Sequence, residues 1–365
     1  MPTISLGAIR WCWRYAFDPG QPLAAQPLCE RVQTERSLWS PKWQSRAPAD
    51  STVRSPAVLS IPGDLAAMER EIAAAADGNL SYFAYLRYGP VGTHTMERGL
   101  ALHKQASNRA RMKWCSYEAE NTLGTSATGH AAGVARLVAE MQAPEYFKVL
   151  GNRPLVFLYG NAASMAAQWG TLANYKAAVD ALRADAQAAG LGNPYIVAGV
   201  ANDAATATAL GADATGNYIS STPTVLGNPE IPFATLSAAA AADWTSWGTA
   251  FGKLVPCTMA GWHRGPRMER PEWWAAPRQS NGARRPYGWL PFATQQTNFV
   301  EPTQAELVAH VQAAFSLVNA NPAVCDAKTV LMYAWDENSE GGYLGPTLGN
   351  PGGKIGWIAQ TLGAA

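Results

Sequence analysis

The sequence predicts an α/β fold, a closed (β/α)8 TIM barrel formed by residues 1–365 as a single domain. Three observations predict it. Eight short apolar or aromatic runs alternate with Ala-rich stretches of helical period, the pattern of a parallel sheet covered by helices. No Gly-x-Gly-x-x-Gly follows the first run, so the dinucleotide signature of an open doubly wound sheet is missing. Chemistry-bearing residues gather at the carboxyl ends of several different runs, where a barrel keeps its site.

The predicted strands are Leu6–Tyr15, Leu80–Tyr88, Met112–Tyr117, Leu155–Tyr159, Tyr195–Val200, Ala214–Ile219, Leu254–Ala260 and Thr329–Trp335. Between them the clearest helices are Leu65–Ala76, Thr171–Ala189, Phe233–Phe251 and Thr303–Val318. Pro62-Gly63-Asp64 starts the first of these, and Thr303 with Glu306 has the spacing of a capping box. Gly78 and Gly190 fall where helix C-caps belong. Two long βα connections are expected, roughly 17–63 and 261–300; the first is rich in Pro and Trp.

Composition narrows the function. Hydrophobic residues make up 48%, enough for a large core, and no run approaches the length of a membrane span. A net charge of +1 argues against nucleic acid as a partner. The 14 Trp outnumber Tyr and Phe; indole faces stack well on the C–H faces of pyranose rings. The five cysteines are odd in number and widely spaced, with no Cys-x-x-Cys or Cys/His cluster. That points to neither a metal centre nor a disulfide framework, and Cys115, Cys257 and Cys325 read as buried thiols. No cofactor is indicated. Residues 1–10 lack the basic and apolar regions of a secretory signal. The expectation is a soluble protein made in the cytoplasm, acting outside only by another route or within a phage particle.

The strongest chemical signal follows the last strand. Thr329–Trp335 is continuously apolar and breaks into Asp336-Glu337-Asn338-Ser339-Glu340-Gly341-Gly342. Three carboxyls in five residues raise one another's pKa. A glycosidase exploits such crowding, holding one carboxyl protonated as acid and its partner ionised as base or nucleophile. Trp335 and Tyr343 flank the segment.

This stretch, Tyr333-Ala334-Trp335-Asp336-Glu337-Asn338-Ser339-Glu340-Gly341, resembles glycoside hydrolase family 99 and the related WbsX-like proteins. Their last strand ends Asn-Ala-Trp-Asn-Glu-Trp-x-Glu-Gly. The resemblance implies that Glu337 and Glu340 are the catalytic pair. Glu337 would be the base that activates the sugar's own 2-hydroxyl, and Glu340 the acid/base. The route implied is a retaining one through an epoxide-like intermediate, with α-mannosides as the family's substrates. Asp336 and Asn338 depart from the family's Asn and Trp, which opens the substrate to sugars other than mannose. Upstream, Met68–Tyr88, Met112–Glu118, Tyr146–Val156 and Gly261–Arg267 are similar to family segments in the same order, over about 270 residues.

The loop Gly261–Pro291 holds four Trp (262, 273, 274, 289) and six Arg (264, 267, 270, 278, 284, 285). Indoles beside guanidinium forks suit a polysaccharide or oligosaccharide carrying carboxylate or sulfate. The cleft is expected to be lined by Trp335, Asp336, Trp262, His263, Arg267, Trp114, Glu118, Tyr88 and Tyr343. A second reading keeps the fold without the chemistry: a glycan-binding protein, for example a phage tail-associated component with virion assembly partners. Glycosyl transfer is a third, but no phosphate-cradling Gly-rich loop is present.

Overall fold

The computed structural model describes residues 4–20, 30–56, 58–88, 96–199, 204–220, 230–269 and 298–363. Eight parallel strands form the wall: β1 Ser5–Arg10, β2 Tyr82–Arg87, β3 Lys113–Glu118, β4 Arg153–Leu158, β5 Tyr195–Ala198, β6 Ala214–Thr215, β7 Cys257–Met259 and β8 Thr329–Tyr333. Their spatial order is β7-β8-β1-β2-β3-β4-β5-β6. The ends meet through one parallel bridge, Thr215 to Leu254. There the Thr215 amide donates to the Lys253 carbonyl (3.0 Å), and the Val255 amide donates to the Thr215 carbonyl (2.8 Å). The wall is thus a closed (β/α)8 barrel.

Strand starts agree with the sequence to within about two residues, except for β7, which begins at Cys257. Strand ends depart in two places, the first and the sixth, and the seventh strand is short because it starts late. The first strand stops at Arg10, not Tyr15, because Cys12 turns into left-handed backbone (φ 61°) and Trp13–Tyr15 form a 3-10 turn. The sixth and seventh strands are two and three residues long, shorter than the apolar runs that signal them. Apolarity marks burial, and residues past a barrel strand are buried whether or not they join the ladder.

Helix boundaries were more legible. Asp64 caps Leu65–Asp77 by accepting from the Ala67 amide, and Thr171 caps Leu172–Ala188. The Thr303/Glu306 capping box is formed at the start of Gln304–Ala320, and the helix Phe233–Phe251 runs as expected. Cys115, Cys257 and Cys325 are buried thiols. Among the described residues no helix is long and apolar enough to cross a membrane.

Side chains alternate between the barrel interior and the helix layer. Gly7, Tyr82 and Thr329 lie on the interior side near the floor, where the Tyr82 hydroxyl meets Thr329 Oγ1 at 3.0 Å. A Cβ on Gly7 would fall inside the Tyr82 ring. Gly7→Ala is therefore expected to destabilise the barrel by about 1–3 kcal/mol, as overpacking does; a denaturant midpoint equal to wild type would refute this. On the helix-layer side, Phe83 and Tyr85 of β2 pack near Arg10 of β1, whose guanidinium carbon lies 4.6 Å from the Phe83 ring centroid.

Candidate active site

The chemistry-bearing segment leaves β8 as a short hairpin. Asp336–Glu337 pair antiparallel with Gly342–Tyr343, and Asn338–Glu340 make the 3-10 turn between them. Gly341 closes the turn at φ 78°, and a Cβ there would strike the His263 backbone, so only glycine fits. The His263 amide donates to the Glu340 carbonyl (2.5 Å), fixing the hairpin against the chain after β7.

Glu337 and Glu340 converge on one guanidinium. Arg267 Nη1 donates to Glu340 Oε1, and Arg267 Nη2 reaches Glu337 Oε2 at 3.3 Å. Arg264 Nε adds a second cation 3.0 Å from Glu340 Oε1, and the Tyr333 hydroxyl donates to Glu340 Oε2. Glu337 has fewer partners: the Tyr218 hydroxyl approaches Oε1 at 3.4 Å. Both carboxyls are buried, at 3% and 4% exposure, so these differences decide their charge. Burial and the neighbouring Glu340 push Glu337 well above the usual carboxylate range. Burial also penalises Glu340, but Arg264, Arg267 and the Tyr333 hydroxyl outweigh it and hold Glu340 low. The environments of the two carboxyls thus push their affinities for a proton apart, Glu337 upward and Glu340 downward.

Aromatic rings surround this pair. Tyr218 lies edge-on to Tyr333, Tyr159 and Tyr117, with centroids 5.4, 5.2 and 5.6 Å away. Trp262 sits 5.6 Å from Tyr333 and beneath Arg264, at 4.2 Å. The Trp11 ring, just past β1, faces the Arg267 guanidinium at 5.0 Å. Burial, with Glu337 and Tyr88 nearby, pushes the Tyr218 phenol up.

Of the expected residues, the structure therefore brings together Glu337, Glu340, Arg267, Trp262 and Tyr88. His263 stands behind them; its ring packs against Trp43 and its Nε2 lies 3.2 Å from Glu230. Four others are corrections. Trp114 packs on Tyr146 and Tyr85 in the helix layer. Glu118, four residues on and so on the same strand face, pairs with Arg136 (2.6 Å) of the helix Ala131–Met141. Burial opposes its charge, but Arg136 and Arg87 hold it down at about 2. Trp335 lies edge-on to Phe83 (5.1 Å), behind the wall. Tyr343 is covered by Lys354, 4.0 Å from its ring.

Asp336 also faces away from Glu337. Its Oδ1 and Oδ2 accept from the Trp11 and Cys12 amides, at 2.8 and 3.1 Å. Arg10 Nε lies 3.9 Å from Oδ2. Residues missed from the sequence are Tyr218, Tyr333, Tyr159 and Trp11, whereas Arg264 was marked only as one of the loop's arginines. The tryptophans and arginines expected at 270–289 lie outside the described residues. Among the described residues no group of three or more His, Cys, Asp or Glu could hold a metal ion.

No protein-family model matches the sequence, and no curated protein matches it. Solved structures do. A glycoside hydrolase-like protein aligns over 99% of this chain and 94% of its own, at 11% identity and TM-score 0.57. The GH99 endo-alpha-mannosidase of Bacteroides thetaiotaomicron, in complex with BIS-TRIS-propane, aligns over 98% of this chain and 94% of its own, at 12% identity and TM-score 0.56. Another structure of that enzyme gives 11% identity and TM-score 0.53 over 98% and 95% of the two chains. At these identities the likeness is one of fold: the chain shares the (β/α)8 barrel of these proteins along nearly its whole length.

Proposed function

We propose that the protein is a glycoside hydrolase acting on a polysaccharide or oligosaccharide, with Glu337 and Glu340 as its reacting carboxyls. One observation carries the reading. Two buried carboxyls at the mouth of a closed barrel share a guanidinium, and their surroundings shift them in opposite directions, Glu337 up and Glu340 down. Acid–base cleavage of a glycosidic bond needs such a pair. A retaining route is the one that the family resemblance implies.

The charge distribution favours Glu337 as proton donor and Glu340 as the carboxylate. The family resemblance implies the reverse order. Arg264 and Arg267 both stand at the carboxyl pair, and guanidinium forks there suit an anionic glycan. The half-buried rings of Tyr88 and Tyr159 offer faces for sugar.

A second reading, a glycan-binding protein without turnover, draws on the tight engagement of Glu340 by two arginines and a tyrosine. Reducing-sugar release from neutral and acidic glycans separates the two. Wild-type release that the Glu337→Gln/Glu340→Gln double variant lacks would support hydrolysis. Equal binding by both proteins, with no release from any glycan, would leave the binding reading.

A further inference from the structure

We infer that Asp336 is a positioning residue: its carboxylate fastens the turn after β1 to the hairpin that carries Glu337 and Glu340. The inference deepens the hydrolase reading and relies on it only for a kinetic consequence.

The contacts form a closed circuit. Asp336 accepts from the Trp11 and Cys12 amides at 2.8 and 3.1 Å. The Trp335 amide donates to the Ile9 carbonyl at 2.8 Å. Trp13 Nε1 donates to the Asp336 carbonyl (2.6 Å) and lies 3.2 Å from Asn338 Oδ1, while Asn338 Nδ2 donates to the Arg46 carbonyl (2.7 Å). From Trp11 the circuit runs through its ring to Arg267, and Arg267 returns it to both glutamates. The hairpin is thus held at its back by Asp336 and at its front by Arg267, with Trp11 belonging to both holds.

Two further observations mark Asp336 as more than packing. Cys12 is one of four described non-glycine residues with positive φ, at 61°. Such a conformation persists only where neighbours over-determine it, and Asp336 takes the Cys12 amide directly. Moreover, Asp336 is 4% exposed, and burial raises it to about 6 in spite of Arg10 and the two amides. An uncharged side chain would avoid that desolvation. What the carboxylate supplies, and an apolar residue cannot, is two acceptor oxygens for two successive amides.

Amide hydrogen exchange on the full chain tests this for wild type, Asp336→Ala and Asp336→Asn. Asp336→Ala should speed exchange at Trp11, Cys12 and residues 336–343 by about tenfold, the loss of one to two hydrogen bonds. The β8 amides of Leu331 and Met332 should remain as protected as in wild type. Asp336→Asn keeps one acceptor and should fall between; it also supplies the comparison if the alanine variant does not fold. With a cleaved glycan in hand, Asp336→Ala should lower kcat by more than about tenfold and leave KM within about twofold, as misplacement of reacting groups does. Wild-type exchange at 336–343 in both variants would overturn the inference. A wild type that cleaves no glycan would sink the hydrolase reading alone, since the exchange comparison needs no substrate.

Discussion

Glu337→Gln and Glu340→Gln will each lower glycan cleavage by about 10^3-fold, the scale of general acid–base groups, but the two losses will differ in kind. If Glu337 is the proton donor, its loss matters least for aryl glycosides whose leaving group needs no proton. Glu337→Gln should then keep much of its activity on such substrates, and Glu340→Gln should not. The reverse pattern would assign the roles in the order the family resemblance implies. The pH profile gives a second discrimination. Glu337 is raised, so its proton is lost only as pH climbs past the ordinary carboxylate range, and this sets the alkaline limb of kcat/KM. Glu340 is lowered, so its charge fails only in acid, and this sets the acid limb. Glu337→Gln should remove the alkaline limb; a profile unchanged in shape would refute the assignment.

The largest effect on stability is expected at Glu71, in the helix Leu65–Asp77. Glu71 is buried between the guanidinium groups of Arg10 and Arg14 and accepts from the Tyr15 hydroxyl at 2.6 Å. Arg10 is 0% and Arg14 2% exposed, so neither can turn to water if the carboxylate goes. Glu71→Ala should cost about 3–5 kcal/mol, as breaking one partner of a buried pair does. Chemical denaturation checks this, and a loss below about 1 kcal/mol would refute it. Burial opposes the Glu71 charge, but the two arginines overcome it and hold the group at about 2. Because this pKa is depressed below the unfolded value of about 4.3, the contribution is present above pH 4.3 and is lost as pH falls toward 2. Over that window wild type should lose stability faster than Glu71→Ala.

How much of this was legible in the sequence depended on periodicity. Helices with side-chain caps were readable because Asp64, Thr171 and Thr303 announce their starts. The barrel was readable because its strands are short apolar runs separated by helices. The face of each strand was not. In a strand buried on both sides polarity does not alternate, so nothing in Trp114-Cys115-Ser116-Tyr117-Glu118 tells which residues face the interior. Tyr117 points inward toward Phe157 and Tyr218, while Trp114 and Glu118 face the helix layer. The acidic hairpin hid the same ambiguity. Asp336 and Glu337 are adjacent in sequence and face opposite ways, and only the long-range contact with Trp11 and Cys12 separates their work. Arg264 lay in the loop already marked as cationic, whereas Tyr218 and Tyr333 carried no signal beyond strand-end placement.

Among the described residues the barrel closes through a single bridge between Thr215 and Leu254, and that joint has a thermal consequence. A hoop under agitation parts where its fastening is thinnest. The described ladder is shortest at β6, two residues long, and three residues beyond Thr215 comes Tyr218, whose hydroxyl approaches Glu337. Warming will therefore loosen the grip on Glu337 while the long ladders of β1, β2 and β3 still hold, and activity should fade at temperatures where the rest of the molecule remains folded.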